Sequence, residues 1–105
     1  NIADNGGLSL AYDAYQKYIK SADAVIPAGT EITEDEANQL FFIAFGQTFC
    51  GKARDGAMKS QIATDVHSPG QWRINSVAMN SDNFAQAFKC KAGAKMNPEK
   101  KCVLW

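Results

Sequence analysis

The stretch "QLFFIAF", residues 39 to 45, sets the hardest condition on how this chain folds. Just upstream, Thr33 is followed three residues later by Glu36, which can return a hydrogen bond to the cap, so a helix is predicted over roughly 34–50. Within it Leu40, Phe41, Phe42, Ile43, Phe45 and Phe49 leave almost no polar face, and a helix apolar nearly all round must be buried on more than one side. A chain of 105 residues is one domain's worth of material and cannot easily surround such a helix by itself.

The other elements are read from weaker signals. Leu8, Ala11, Tyr12, Tyr15 and Ile19 recur at three- and four-residue steps and predict a helix over 6–20. The next stretch, with Pro27 and Gly29, reads as a connecting loop. A short third helix fits 54–62, and Ser81 is a fair N-cap for a fourth helix carrying Phe84, Ala85, Ala87 and Phe88. Between them "HSPGQWRINSV" reads as a turn followed by an extended segment near 72–78. Residues from Lys89 onward are Lys-rich and loop-like, ending in an apolar tail. The expected fold class is therefore mainly α: about four helices with long irregular connections and one short extended piece.

Composition narrows the function. Eleven basic and eleven acidic side chains cancel, which argues against nucleic acid as a partner, and the lysines near the C-terminus read as a solvated face. The longest apolar run is far shorter than the roughly 20 residues needed to cross a bilayer, and no segment is arranged like a signal peptide. The closing "CVLW" matches a prenylation box only superficially, because Trp is not a usual terminal residue there. Three cysteines, Cys50, Cys90 and Cys102, cannot all pair within one chain. On spacing alone a Cys90–Cys102 bridge is the most plausible pairing.

Catalytic constellations are sparse. Cys50 as a nucleophile would sit at the C-terminal end of the second helix, where the dipole disfavours a thiolate. Cys50, His67, Cys90 and Cys102 have the count of a structural zinc site but lack the close ligand pair such sites show. His67 is the only histidine. It lies in "TDVHSPGQWR" with Asp65 two residues before it, placed to orient the ring and favour its charged form, and with Arg73 six residues after. Taken alone, His67 reads more readily as a loop histidine and Arg73 as an ion-pair partner. To this point the residues describe a mostly helical, extracytoplasmic domain with an unusual loop.

Five blocks carry a more specific signal: "NIADNGGL" with "AYDAYQKY" at 1–18, "QLFFIAFGQTFCGK" at 39–52, "TDVHSPGQWRIN" at 64–75, "NFAQAFKC" at 83–90 and "MNPEKKCVLW" at 96–105. In these, and in their order, the chain resembles the C-terminal end of the neprilysin family of zinc metallopeptidases. The resemblance implies a single partial domain over 1–105, the C-terminal portion of a helical peptidase ectodomain, extracellular, secreted or anchored elsewhere. Family zinc is held by the two histidines of an H-E-x-x-H helix and by the glutamate of an E-x-x-x-D motif. "NIAD" matches only the four positions after that glutamate, and no H-E-x-x-H occurs in the chain. Zinc is thus expected in the full-length parent and not in this chain.

Carried over position by position, the resemblance makes Asp4 the aspartate that orients a zinc-ligating histidine. It makes His67 the donor to the oxyanion formed in peptide-bond attack. Arg73 would grip a substrate backbone carbonyl, and Thr48 and Phe49 would border the pocket for the side chain after the cut. The family usually has an aliphatic residue and a tryptophan at those last two positions, so the pocket here is expected to differ in shape. The family cysteines bridge to the preceding part of the ectodomain, which would leave Cys50, Cys90 and Cys102 without mates in this chain. The implied function is the C-terminal part of a metalloendopeptidase acting on short peptides. The chain alone is expected to be inactive, and either marginally stable or self-associating through "LFFIAF". A non-catalytic secreted module binding peptides or proteins is the alternative; retention of Asp4, His67 and Arg73 together speaks against it.

Overall fold

The computed structural model describes residues 2–25 and 29–102. Five helices occur in order: α1, Ile2–Ile19; α2, Glu34–Gln47; α3, Asp55–Thr64; α4, Gly70–Asn80; and α5, Asp82–Ala87. No strand is present among the described residues, only an isolated bridge between Ala94 and Asn97. The mainly α expectation therefore holds, with one more helix than the sequence suggested. Pro27 of the connecting loop and the apolar tail 103–105 lie outside the described residues.

Local chemistry explains the helix starts. Thr33 accepts from the Glu36 N–H at 3.2 Å, and the Glu36 carboxylate accepts from the Thr33 N–H at 2.8 Å, closing the capping box. Those hydrogen bonds from Thr33 hold the Glu36 carboxyl below its ordinary range. Ser81 caps α5 by accepting from the Phe84 N–H at 3.1 Å. In the connection before α2, Gly29 sits at φ 81°, a left-handed conformation that suits glycine.

The extended segment expected near 72–78 is not found, because those residues form the body of α4. Pro69 does not end a turn here; its carbonyl accepts from the Trp72 and Arg73 N–H groups at 2.9 and 3.2 Å and so begins the helix. Tertiary packing then outweighs the modest helix propensity of β-branched residues. Val77 is 1% exposed, and Ile74, one turn earlier, lies against Gly46 of α2.

Leu8, Phe42, Val77 and Ala87 form the core, with Tyr12, Phe41, Phe45, Phe84 and Phe88 packed around it. Phe42 is its hub: its ring stacks on Tyr12 at 5.2 Å between centroids and meets Phe84 edge-on at 5.4 Å. Polar ties accompany the rings, Tyr15 donating to the Ala37 carbonyl and the Gln39 amide to the Ala87 carbonyl, each at 2.9 Å.

The helix that was expected to need burial on more than one side obtains it on one only. Phe42 is 5% exposed, whereas Leu40 and Ile43 on the other faces of α2 are 49% and 47% exposed. The radius of gyration, 15.8 Å, exceeds the roughly 13 Å of a compact domain of this length. The chain is thus an open helical layer whose core is shared out over one face of α2, not closed around it.

Candidate active-site corner

Asp4 lies in the first turn of α1 and Arg73 in the first turn of α4, and the packing of those two helices brings them together. The guanidinium engages the carboxylate through two parallel bonds, Nε to Oδ2 at 2.8 Å and Nη2 to Oδ1 at 2.6 Å. Their side chains are 22% and 12% exposed for Arg73 and Asp4, against at least 60% for both partners of the surface pairs Lys20–Glu34 and Lys89–Asp35. Bidentate geometry and partial shielding make this the strongest ion pair described. The hydrogen bond from Arg73 holds the Asp4 carboxyl below its ordinary value, and the bond to Asp4 raises Arg73 in return.

Phe49 lies under the same guanidinium, with Cζ of Arg73 4.3 Å from the ring centroid. Helix α2 ends at Gln47, earlier than expected, so Thr48 and Phe49 belong to the chain leaving the helix. Thr48 is exposed and spends its hydroxyl on the helix end, donating to the Phe45 carbonyl at 2.6 Å. It therefore sits beside Phe49 in sequence without joining the Arg73 contact.

His67 is held by its neighbour. Asp65 Oδ1 accepts from the His67 backbone N–H at 2.8 Å and faces the ring Nδ1 at 2.9 Å, an Asx-type turn in an exposed loop. The hydrogen bonds from the His67 backbone and ring hold the Asp65 carboxyl below its ordinary range. The charge of Arg73 also favours the Asp65 carboxylate, so the two pairs lie within electrostatic reach of each other.

Of the five sequence-predicted residues, Asp4, Phe49 and Arg73 converge directly, His67 stands in a loop whose Asp65 is within electrostatic reach of Arg73, and Thr48 stands apart. Sequence reasoning did not couple Asp4 to Arg73 and missed Gly70 entirely. A Cβ at Gly70 would come within 2.9 Å of the Phe49 carbonyl oxygen and 3.1 Å of its Cβ, so the first residue of α4 must be glycine for Phe49 to pack there. The signal available was the "SPG" triplet, read only as a turn.

Among the described residues no group of three or more His, Cys, Asp or Glu side chains converges to hold a metal ion. These residues do not by themselves fit a zinc site: Asp4 faces Arg73, and Asp65 faces His67. Cys50, Cys90 and Cys102 carry free thiols, so the Cys90–Cys102 bridge favoured by spacing is not made. The cleft of about 320 Å³ between α1 and the α4–α5 junction is lined by Asn5, Leu8, Tyr12, Asn80 and Cys102 among others, and by none of the five predicted site residues. No helix among the described residues is long and apolar enough to cross a membrane.

Comparison with known proteins decides the family, because the model for peptidase family M13 matches residues 1–104. The chain belongs to peptidase family M13. Neprilysin of Homo sapiens is 47% identical over 106 residues, covering 100% of this chain and 14% of that protein. Neprilysin-1 of Caenorhabditis elegans is 42% identical, and endothelin-converting enzyme 1 of Rattus norvegicus 40% identical, each again over the whole chain and 14% of its own length. The chain thus spans about one seventh of these M13 relatives.

Proposed function

We propose that this chain is the C-terminal part of the peptidase domain of an extracellular zinc-dependent metalloendopeptidase that cuts short peptides. The bidentate Arg73–Asp4 pair beside the Asp65–His67 pair carries this reading, since it sets a fixed guanidinium and an oriented imidazole near each other in a member of a peptidase family. Zinc belongs to the rest of the polypeptide, which supplies the ligands absent here.

The chemistry of each side chain is set by its partners. A carboxylate has no proton to give, so Asp65 requires hydrogen on Nδ1 of His67, and the ring then donates from Nε2 only as an imidazolium. That form is the stronger donor to a carbonyl oxygen gaining negative charge, and aiming such a donor typically contributes about two to three powers of ten in turnover. Asp4 uses two of the five N–H groups of Arg73, which leaves three for a substrate backbone carbonyl. Asp4 itself acts as a positioning residue for a metal-bound histidine. Phe49 and Thr48 border the side-chain pocket after the cut.

The remaining ectodomain is the partner that covers Leu40 and Ile43, both about half exposed here. The isolated chain is inactive and self-associates through that face; a folded, inactive monomer on gel filtration at high concentration would count against the self-association. The central test is hydrolysis of a quenched fluorescent peptide by the full polypeptide and by its His67→Ala variant. A fall in kcat of about 100- to 1,000-fold is expected. Wild-type turnover in that variant sinks the proposal.

A further inference from the structure

We propose that Phe49 is a positioning residue for Arg73, a plate that sets the plane of the guanidinium while Asp4 sets its edge. The inference rests on the assignment of Arg73 to a substrate carbonyl. Two parallel hydrogen bonds to Asp4 fix the direction in which the fork points but leave the paired groups free to rock about the line joining them. A ring beneath Cζ at 4.3 Å removes that freedom, because the planar cation is held to the negative face of the aromatic. With plane and edge both set, the two parallel N–H groups at the free end of the fork, one on Nη1 and one on Nη2, keep a fixed direction.

Phe49 is itself anchored by the helix that carries Arg73. Gly70 and Arg73 are three residues apart in the first turn of α4 and therefore share a face. Gly70 lies so close to the Phe49 backbone that a Cβ would meet its carbonyl oxygen at 2.9 Å, while the side chain of Arg73 reaches over the ring. One helical turn thus grips Phe49 at its backbone and covers it at its ring. An aliphatic residue at position 49 would keep the pocket wall apolar but offer the guanidinium no π face. The carbonyl grip and the shape of the side-chain pocket are in this way coupled through a single ring.

The test is steady-state hydrolysis of one quenched fluorescent peptide by the full polypeptide carrying Phe49→Leu, Phe49→Tyr, Gly70→Ala, Arg73→Lys, or Phe49→Leu with Arg73→Lys. A grip on the backbone acts on ground state and transition state alike, so the effect falls on KM. Phe49→Leu is expected to raise KM about 5- to 30-fold with kcat changed less than about twofold, and Phe49→Tyr, which keeps the π face, to raise it less than Phe49→Leu does. Gly70→Ala raises KM in the same direction with both partners of the stack still present. Arg73→Lys, which loses fork and stack together, raises KM about tenfold or more. In that background Phe49→Leu adds less than about twofold, the mark of coupling.

Failures separate cleanly. An equal cost of Phe49→Leu in both backgrounds overturns the positioning role and leaves the substrate role of Arg73 standing. An unchanged KM in Arg73→Lys overturns that substrate role, and with it this inference. Should Phe49→Leu fail to fold, Gly70→Ala decides: an unchanged KM in a folded variant overturns the proposal.

Discussion

Two charge pairs stand in the same corner, and they are made in different ways. Asp4 and Arg73 are 69 residues apart and meet only because α1 packs on α4, with side chains 12% and 22% exposed. Asp65 and His67 are two residues apart and meet in a single exposed turn, with side chains 41% and 61% exposed. The first pair is a product of the fold and reports on it. The second is a product of local sequence and survives as long as its loop keeps its shape. Chemistry assigned to the local pair is thus separable from stability, whereas chemistry assigned to the long-range pair is not.

The largest effect expected from breaking this contrast is on turnover alone. His67→Ala lowers kcat about 100- to 1,000-fold. Yet an exposed side chain removed from a loop shifts folding free energy by no more than about 0.5 kcal/mol, so thermal denaturation of the variant should superimpose on wild type. A large drop in midpoint would mean the loop is part of the core after all. Asp4→Asn is the counter-experiment. Loss of a group that orients a metal ligand costs about 10- to 100-fold in activity. Here the midpoint must fall as well, because an amide cannot accept two bonds from the fork and leaves Arg73 half-buried with its charge uncompensated.

Acid sharpens the same comparison. The Asp4 carboxyl is held below its ordinary value of 3.8, so its contribution to stability is fully present above that value and is lost as pH falls through the lowered one. The difference in midpoint between wild type and Asp4→Asn is therefore expected to stay constant near neutrality and shrink as pH drops below about 4. Asp65 is also held low, but by an exposed local turn, so Asp65→Asn should show almost no such pH-dependent gap. A gap of equal size for both variants would erase the distinction between the pairs.

Legibility in the sequence divides along the same line. The capping box of Thr33 and Glu36 and the Asp65–His67 contact were readable because each spans at most three residues, within reach of local geometry. The helix α4 was not, since "SPG" is a turn signal and Ile74 and Val77 have weak helix propensity; what decides the matter is burial of Val77 in the core with Leu8 and Phe42. No local pattern in the sequence reveals the pairing of Asp4 with Arg73 across 69 positions. Resemblance supplied roles for both residues but not their pairing. It placed Phe49 at a pocket wall, where the structure adds the cation above its ring. The far side of α2 stays half-exposed at Leu40 and Ile43, so the burial that its apolar sequence demands is not provided by these residues alone.

The smallest expected effect concerns Thr48, which adjoins Phe49 in the chain yet directs its hydroxyl back to the Phe45 carbonyl. Thr48→Val keeps the side-chain shape and deletes that hydroxyl. The Phe45 carbonyl still accepts from the Thr48 backbone N–H at 3.1 Å and lies at an exposed helix end, so water replaces the lost donor and stability should change by no more than about 0.5 kcal/mol. Since the hydroxyl is committed to the helix and not to the Arg73 corner, KM of the full polypeptide should also move by less than about twofold. A tenfold rise in KM would show that the hydroxyl turns outward when a peptide binds. The corner would then extend one residue back along the chain, with a polar wall in the side-chain pocket supplied by local sequence, as His67 is, and not by the packing of distant helices.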